Sequence, residues 1–137
     1  ARASRGCAFG DYDDDGDVDI LVANCGQPAR LLRNDGAHRA NNWLVIRAVG
    51  TRGNQDAIGA RITVRAGDWV QVKELRGSAS YLSQNDLRVH FGLGGRAEID
   101  ELEIRWPGGA TERWGRQEAN QLLTIVEGSA GRSQKSP

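Results

Sequence analysis

Methionine is absent from this chain, and histidine, cysteine, phenylalanine and tyrosine occur only twice each. With no initiator of its own, the chain is expected to be a processed product or a piece of something longer. No apolar run approaches the ~20 residues that a membrane span requires, and no signal peptide is visible. Net charge is missing as well: 18 bases balance 18 acids, which argues against a general binder of nucleic acid or polyanions. Two cysteines cannot supply the paired spacing of a zinc site. Helical periodicity is hard to find anywhere along the 137 residues.

What the chain does contain is short β-type runs cut by glycine-rich turns. Val18, Ile20 and Val22 alternate with Asp17, Asp19 and Leu21, and ARLLRN (29–34) follows, ending on an Asn34-Asp35-Gly36 turn signal. Further runs lie at 43–49, 60–66, 69–76, 87–93, 99–106, 110–114 and 121–127. Short strands at this even spacing predict an all-β chain containing a sandwich or barrel. A helix of one or two turns is conceivable only at 115–120. We therefore expect an acidic unit over 1–36, a linker over 37–42, a sandwich-like β domain over 43–127 and a disordered tail over 128–137.

Charge is balanced in total but not in place. Residues 1–37 hold seven acids against four arginines, and six of those acids are aspartates between positions 11 and 19. Asp11, Asp13, Asp15 and Asp19 stand at positions 1, 3, 5 and 9 of a loop whose sixth position is Gly16. Oxygen ligands at alternate positions, followed by a glycine that permits a sharp turn, are what a hard cation needs from one continuous segment. Ca²⁺ takes 6–8 oxygens at about 2.3–2.6 Å, whereas Mg²⁺ demands stricter octahedral geometry and keeps its waters. Asp17, at position 7, would contribute its backbone carbonyl. Carboxylates about 4 Å apart repel by about 4 kcal/mol at an effective dielectric of 20, so this crowding favours a bound divalent ion. Position 12 is Val22 rather than glutamate, and the flanks alternate like strands, so an EF-hand is excluded. The expected setting is a calcium-binding β-hairpin.

The stretch Phe9-Gly10-Asp11-Tyr12-Asp13-Asp14-Asp15-Gly16-Asp17-Val18-Asp19-Ile20 resembles the calcium-binding FG-GAP (VCBS-type) repeat of β-propellers. Further on stand Asn42-Trp43-Leu44, Asp56-Ala57-Ile58-Gly59-Ala60-Arg61, Tyr81-Leu82-Ser83-Gln84, His90-Phe91-Gly92-Leu93-Gly94 and Arg105-Trp106-Pro107-Gly108-Gly109. In that order they resemble the ASPIC/UnbV domain, which closes the C-terminus of proteins resembling cartilage acidic protein. Gly77-Ser78-Ala79-Ser80 departs from the Gly-Ser-Gly usual there. Together the resemblances cover roughly residues 6–127. They imply a non-catalytic, extracellular or periplasmic, calcium-binding module for adhesion or scaffolding at the end of a propeller. The implied partner is an unidentified extracellular protein or glycan. Residues 1–36 amount to one partial blade, whose exposed strand edge invites packing or self-association.

Other chemistries find less support in the residues. His90 with Ser78, Ser80 or Ser83 would be the one nucleophile–base combination, but no strand–elbow–helix surrounds any of those serines, and His90 reads more simply as a strand residue. Phe91-Gly92-Leu93-Gly94-Gly95 has the glycines of a nucleotide loop without the following helix, and reads as a tight turn. Asp56 is expected to cap a strand-entry turn. Trp69 and Trp114 border turns and are the candidate platforms for an alternative function, carbohydrate binding; Trp43 and Trp106 fit apolar alternation and read as core. Cys7 and Cys25 would approach each other if 5–10 and 18–24 form a hairpin, as a disulfide or as two free thiols.

Overall fold

The computed structural model describes residues 3–36 and 41–130. Residues 37–40, which include His38 and most of the expected linker, and 131–137 of the expected tail lie outside the described residues. Among the described residues every regular element is a strand, and the chain divides into two units. One holds the N-terminal segment together with Gly77–Asp86; the other holds the remainder.

In the N-terminal unit, β1 (Ser4–Gly10), β2 (Asp19–Asn24) and β3 (Arg30–Leu32) form an antiparallel sheet in that order. Gly10 pairs with Asp19, so the eight residues between them form the hairpin loop. The same register sets Cys7 opposite Val22, while the Cys25 amide donates to the Ala3 carbonyl. The hairpin thus separates the two cysteines by several rungs instead of bringing them together, and both are free thiols.

The Gly77–Asp86 segment lies along β1. Asp86 donates its amide to the Phe9 carbonyl at 2.9 Å, and the Phe9 amide donates to Asn85 Oδ1 at 3.1 Å. A Cβ on Gly10 would sit 2.9 Å from the Cβ of Asp86, and one on Gly6 would collide with Ser83. The glycine of the Phe9-Gly10 pair is therefore required by close approach of the Asp86 side chain. Gly10→Ala should force the Asp86 segment away at a cost of about 1–3 kcal/mol. Limited proteolysis checks it: cleavage at Tyr81–Leu82 should accelerate in the variant and stay unchanged in a substitution at solvent-exposed Gly26.

The second unit has two principal sheets. β4 (Asn42–Val49) lies between β12 (Gln121–Val126), parallel to it, and β7 (Val89–Gly94), antiparallel. The other sheet runs β10 (Thr111–Trp114), β9 (Glu101–Arg105), β5 (Arg61–Ala66), β6 (Trp69–Glu74), all antiparallel. Both contribute to one apolar cluster: Leu44, Ile46, Phe91, Leu123 and Ile125 from the first, Ile62, Val64, Leu102, Ile104 and Trp114 from the second. Each fully buried aliphatic side chain of this kind contributes about 1.5–3 kcal/mol over exposure. This is the expected sandwich-like arrangement.

Three local expectations are corrected. The run at 99–106 is broken at Asp100, whose carboxylate accepts the Gly67 amide at 2.7 Å and bends the chain between β8 (Glu98–Ile99) and β9. Residues 115–120 are not helical: β11 (Gln117–Glu118) pairs with β8, so its backbone hydrogen bonds go across a ladder. At the 50–61 turn, Asn54 rather than Asp56 supplies the cap, its Oδ1 accepting the Asp56 amide at 2.9 Å. At the other end, Gly128 and Ala130 donate their amides to Glu112, so the start of the expected tail is held. Glu127 accepts the amides of Thr51 and Arg52, which hold its carboxyl below the usual range.

Candidate metal centre

The acidic loop joins β1 to β2, and its first residue organises it. Asp11 follows the last residue of β1 and is 5% exposed. Its Oδ1 accepts the Asp15 amide at 3.2 Å and its Oδ2 the Gly16 amide at 2.9 Å. Asp15 Oδ1 in turn accepts the Asp17 amide at 2.9 Å, an Asx turn. The curl needs left-handed backbone at two places: Asp14 at φ 58°, which aspartate tolerates, and Gly16 at φ 92°.

This curl converges three carboxylates. One oxygen from each of Asp11, Asp13 and Asp15 lies within 4.8 Å of the other two. Two ligands on opposite sides of a calcium ion at about 2.4 Å would themselves be about 4.8 Å apart, so the set fits a hard cation of that size. Burial pushes the Asp11 carboxyl up, partly opposed by the Gly16 and Asp15 amides and reinforced by the charges of Asp14 and Asp15. A cation would relieve all three unfavourable contributions.

The remaining expected ligands are placed differently. Asp17 and Asp19 lie outside the three-carboxylate cluster. Asp19, the first residue of β2, is 2% exposed and spans two segments: Oδ2 accepts the Tyr12 amide at 3.1 Å and Oδ1 the Asn34 amide at 2.8 Å. It fixes the start of the loop and the chain after β3. Two residues escaped the sequence reading. Arg33 Nε stands 3.3 Å from Asp13 and 2.6 Å from Asp35, and Asn34 supplies the amide to Asp19. Only the Asn34-Asp35-Gly36 turn signal hinted that the chain would bend back there.

The tryptophans are redistributed. Trp114 is 4% exposed, because the β10 register sets it opposite Leu102 on the core side of the sheet. It is therefore a core residue and no platform. Trp106 is buried as expected, Trp43 is half-buried and stacked on His90 at 6.5 Å, and Trp69 is half-buried with the Arg96 guanidinium 4.9 Å over its ring. Ser83 donates its hydroxyl to the Tyr81 carbonyl at 2.9 Å.

The family model described as ASPIC and UnbV matches residues 50–132, more than half of the chain. Among curated proteins, cartilage acidic protein 1 of Mus musculus is 30% identical over 124 residues, covering 85% of this chain and 18% of that protein. Cartilage acidic protein 1 of Homo sapiens is 29% identical over 124 residues, with the same coverage, and that of Xenopus tropicalis 30% over 129 residues. The chain thus spans less than a fifth of the length of these relatives. Coverage of 85% is more than residues 50–137 can supply, so the similarity reaches into the N-terminal unit. The matched span holds the Asn54-capped turn, buried Trp106 and the Pro107–Gly109 turn, and on that match the chain belongs to the ASPIC and UnbV family.

Proposed function

We propose that this chain is a non-catalytic extracellular interaction module whose N-terminal hairpin is ordered by one calcium ion. Asp11, Asp13 and Asp15 would hold the ion, the Asp17 carbonyl would complete the loop's contribution, and Asp19 would fix the loop's two ends. The convergence of three carboxylate oxygens within 4.8 Å on one pinned loop carries the reading. The FG-GAP-like sequence of the loop and the extracellular setting suggested by relatives named for cartilage support it. Among the described residues no helix is long and apolar enough to cross a membrane. The ion's chemistry here is structural: it neutralises the carboxylates and fixes the backbone between β1 and β2. Calorimetric titration should show one saturable calcium site, with magnesium much weaker, and the heat should vanish in D11N and D15N. A flat titration of the intact chain would contradict the proposal.

The partner is proposed to be a protein or glycan outside the cell, met through the N-terminal unit. Phe9, Leu21, Leu31 and Leu32 are each more than 40% exposed there, on a sheet of three strands where a propeller blade has four. Large apolar side chains left open on a strand surface favour association. A second copy would suffice. Sedimentation should therefore show reversible self-association that weakens in Leu21→Lys, whereas a single monomeric species at all concentrations would remove this part of the proposal.

A further inference from the structure

The outward face of the β10-β9-β5-β6 sheet is laid out in cross-strand rows. In one row Arg113 lies opposite Glu103, and they pair at 2.6 Å. In another Arg65 lies opposite Glu101, and they pair at 3.1 Å. The row at the end of the sheet breaks this rule. There Arg61 lies opposite Arg105, two like charges on neighbouring strands. Glu74 flanks Arg61 on the other side, but its carboxylate pairs with Arg76 at 3.3 Å. Among the described residues neither Arg61 nor Arg105 has an ion-pair or side-chain hydrogen-bond partner. Facing residues on adjacent strands have Cβ atoms about 4.5–5.5 Å apart, and like charges so placed destabilise a sheet.

These two arginines also line a cleft of about 230 Å³, closed by Gly59, Glu74 and the Trp106–Pro107–Gly109 turn. That volume holds several water molecules. Gly59 and Gly109 line it without side chains, which leaves Arg61, Arg105, Glu74, Trp106 and Pro107 as the side chains around it. A guanidinium offers a rigid fork of N–H donors matched to oxyanions, and two forks side by side can share one anion between them. From this geometry we infer that the cleft is a binding site for a single oxyanion group, taken between Arg61 and Arg105. Two full positive charges match a doubly charged tetrahedral group, sulfate or phosphate, better than a monocarboxylate. Binding neutralises the one uncompensated row of the sheet face, and the chain's overall neutrality leaves the site local rather than part of a polyanion-binding surface.

The test uses the whole chain, labelled with ¹⁵N and titrated with inorganic phosphate, sulfate or acetate at constant ionic strength set by chloride. The Nε–H signals of Arg61 and Arg105 and the amides of Gly59 and Gly109 should shift saturably with phosphate and sulfate, and at least tenfold more weakly with acetate. R61Q and R105Q, both at exposed positions, should each weaken the response at least tenfold while the remaining spectrum reports an intact fold. R65Q, which removes an arginine already paired on the same face, should leave it unchanged. Shifts that never saturate, or that persist in the double variant R61Q/R105Q, would overturn the site. Acetate binding as tightly as sulfate would overturn its assignment to a dianion.

Discussion

Calcium at one hundred times its dissociation constant should stabilise the native chain by about 2.7 kcal/mol. For a chain of this size that corresponds to roughly ten degrees in the midpoint of the transition it affects. The reason lies in the loop itself. Asp11 is buried with its charge disfavoured, and Asp13 and Asp15 bring two more carboxylates to it. The metal-free loop holds that repulsion, with the Gly16 and Asp15 amides as partial relief. A divalent ion removes it without moving the backbone far. Two substitutions separate the ion's contribution from the loop's own. Asp15→Ala should abolish the calcium response and change the metal-free midpoint little, because Asp15 is exposed. Asp19→Ala should lower the metal-free midpoint as well, since two amides, Tyr12 and Asn34, lose their acceptor. An unmet buried donor costs about 1–3 kcal/mol. Differential scanning with calcium, with magnesium and with chelator reads all of this. A midpoint unmoved by calcium, or moved equally by magnesium, would contradict the expectation.

Trp114→Ala should be among the most damaging single substitutions in the second unit, costing about 3–5 kcal/mol. Its indole packs in the cluster with Leu102 and Ile104, and replacing it with a methyl group opens a cavity in that core. Trp69→Ala should cost far less, about 1 kcal/mol, because the ring is only half-buried and the Arg96 contact over its face is a partly exposed cation–π pair. Chemical denaturation of the two variants compares them directly. Were Trp114 a surface platform for sugars, the order would be different: both variants would be nearly as stable as the parent. Equal, small losses would therefore overturn the core assignment.

These two expectations mark where the sequence was legible and where it was not. Strand positions were readable because alternation and glycine turns are local signals, and Val18, Ile20 and Val22 or the 121–127 run carry them plainly. The loop's three converging carboxylates were readable for the same reason, since spacing within a hairpin is local. Register is not local. Trp114 borders a turn in the sequence, and only its pairing with Leu102 reveals which face it serves. The cysteines failed in the same way: a hairpin was foreseen, but Cys7 opposite Val22 follows from where pairing begins at Gly10 and Asp19. Residues 115–120 offered polar residues of fair helix propensity, and an available edge on β8 took them into a ladder instead. Asp19 was expected as a calcium ligand at position 9 of the loop, yet its tie to the Asn34 amide depended on β3 folding back. The return of Gly77–Asp86 to β1 had no signal beyond the bare glycines at 6 and 10. Likewise the opposition of Arg61 and Arg105 joins residues 44 positions apart in sequence, and no pattern in either strand announces it.

A hard cation seated among the crowded aspartates should be visible by anomalous scattering in crystals grown in calcium. The expected result is one peak between Asp11, Asp13 and Asp15, with ligand oxygens at about 2.3–2.6 Å from it. Well-ordered carboxylates around a site containing only water, in crystals saturated with calcium, would contradict it.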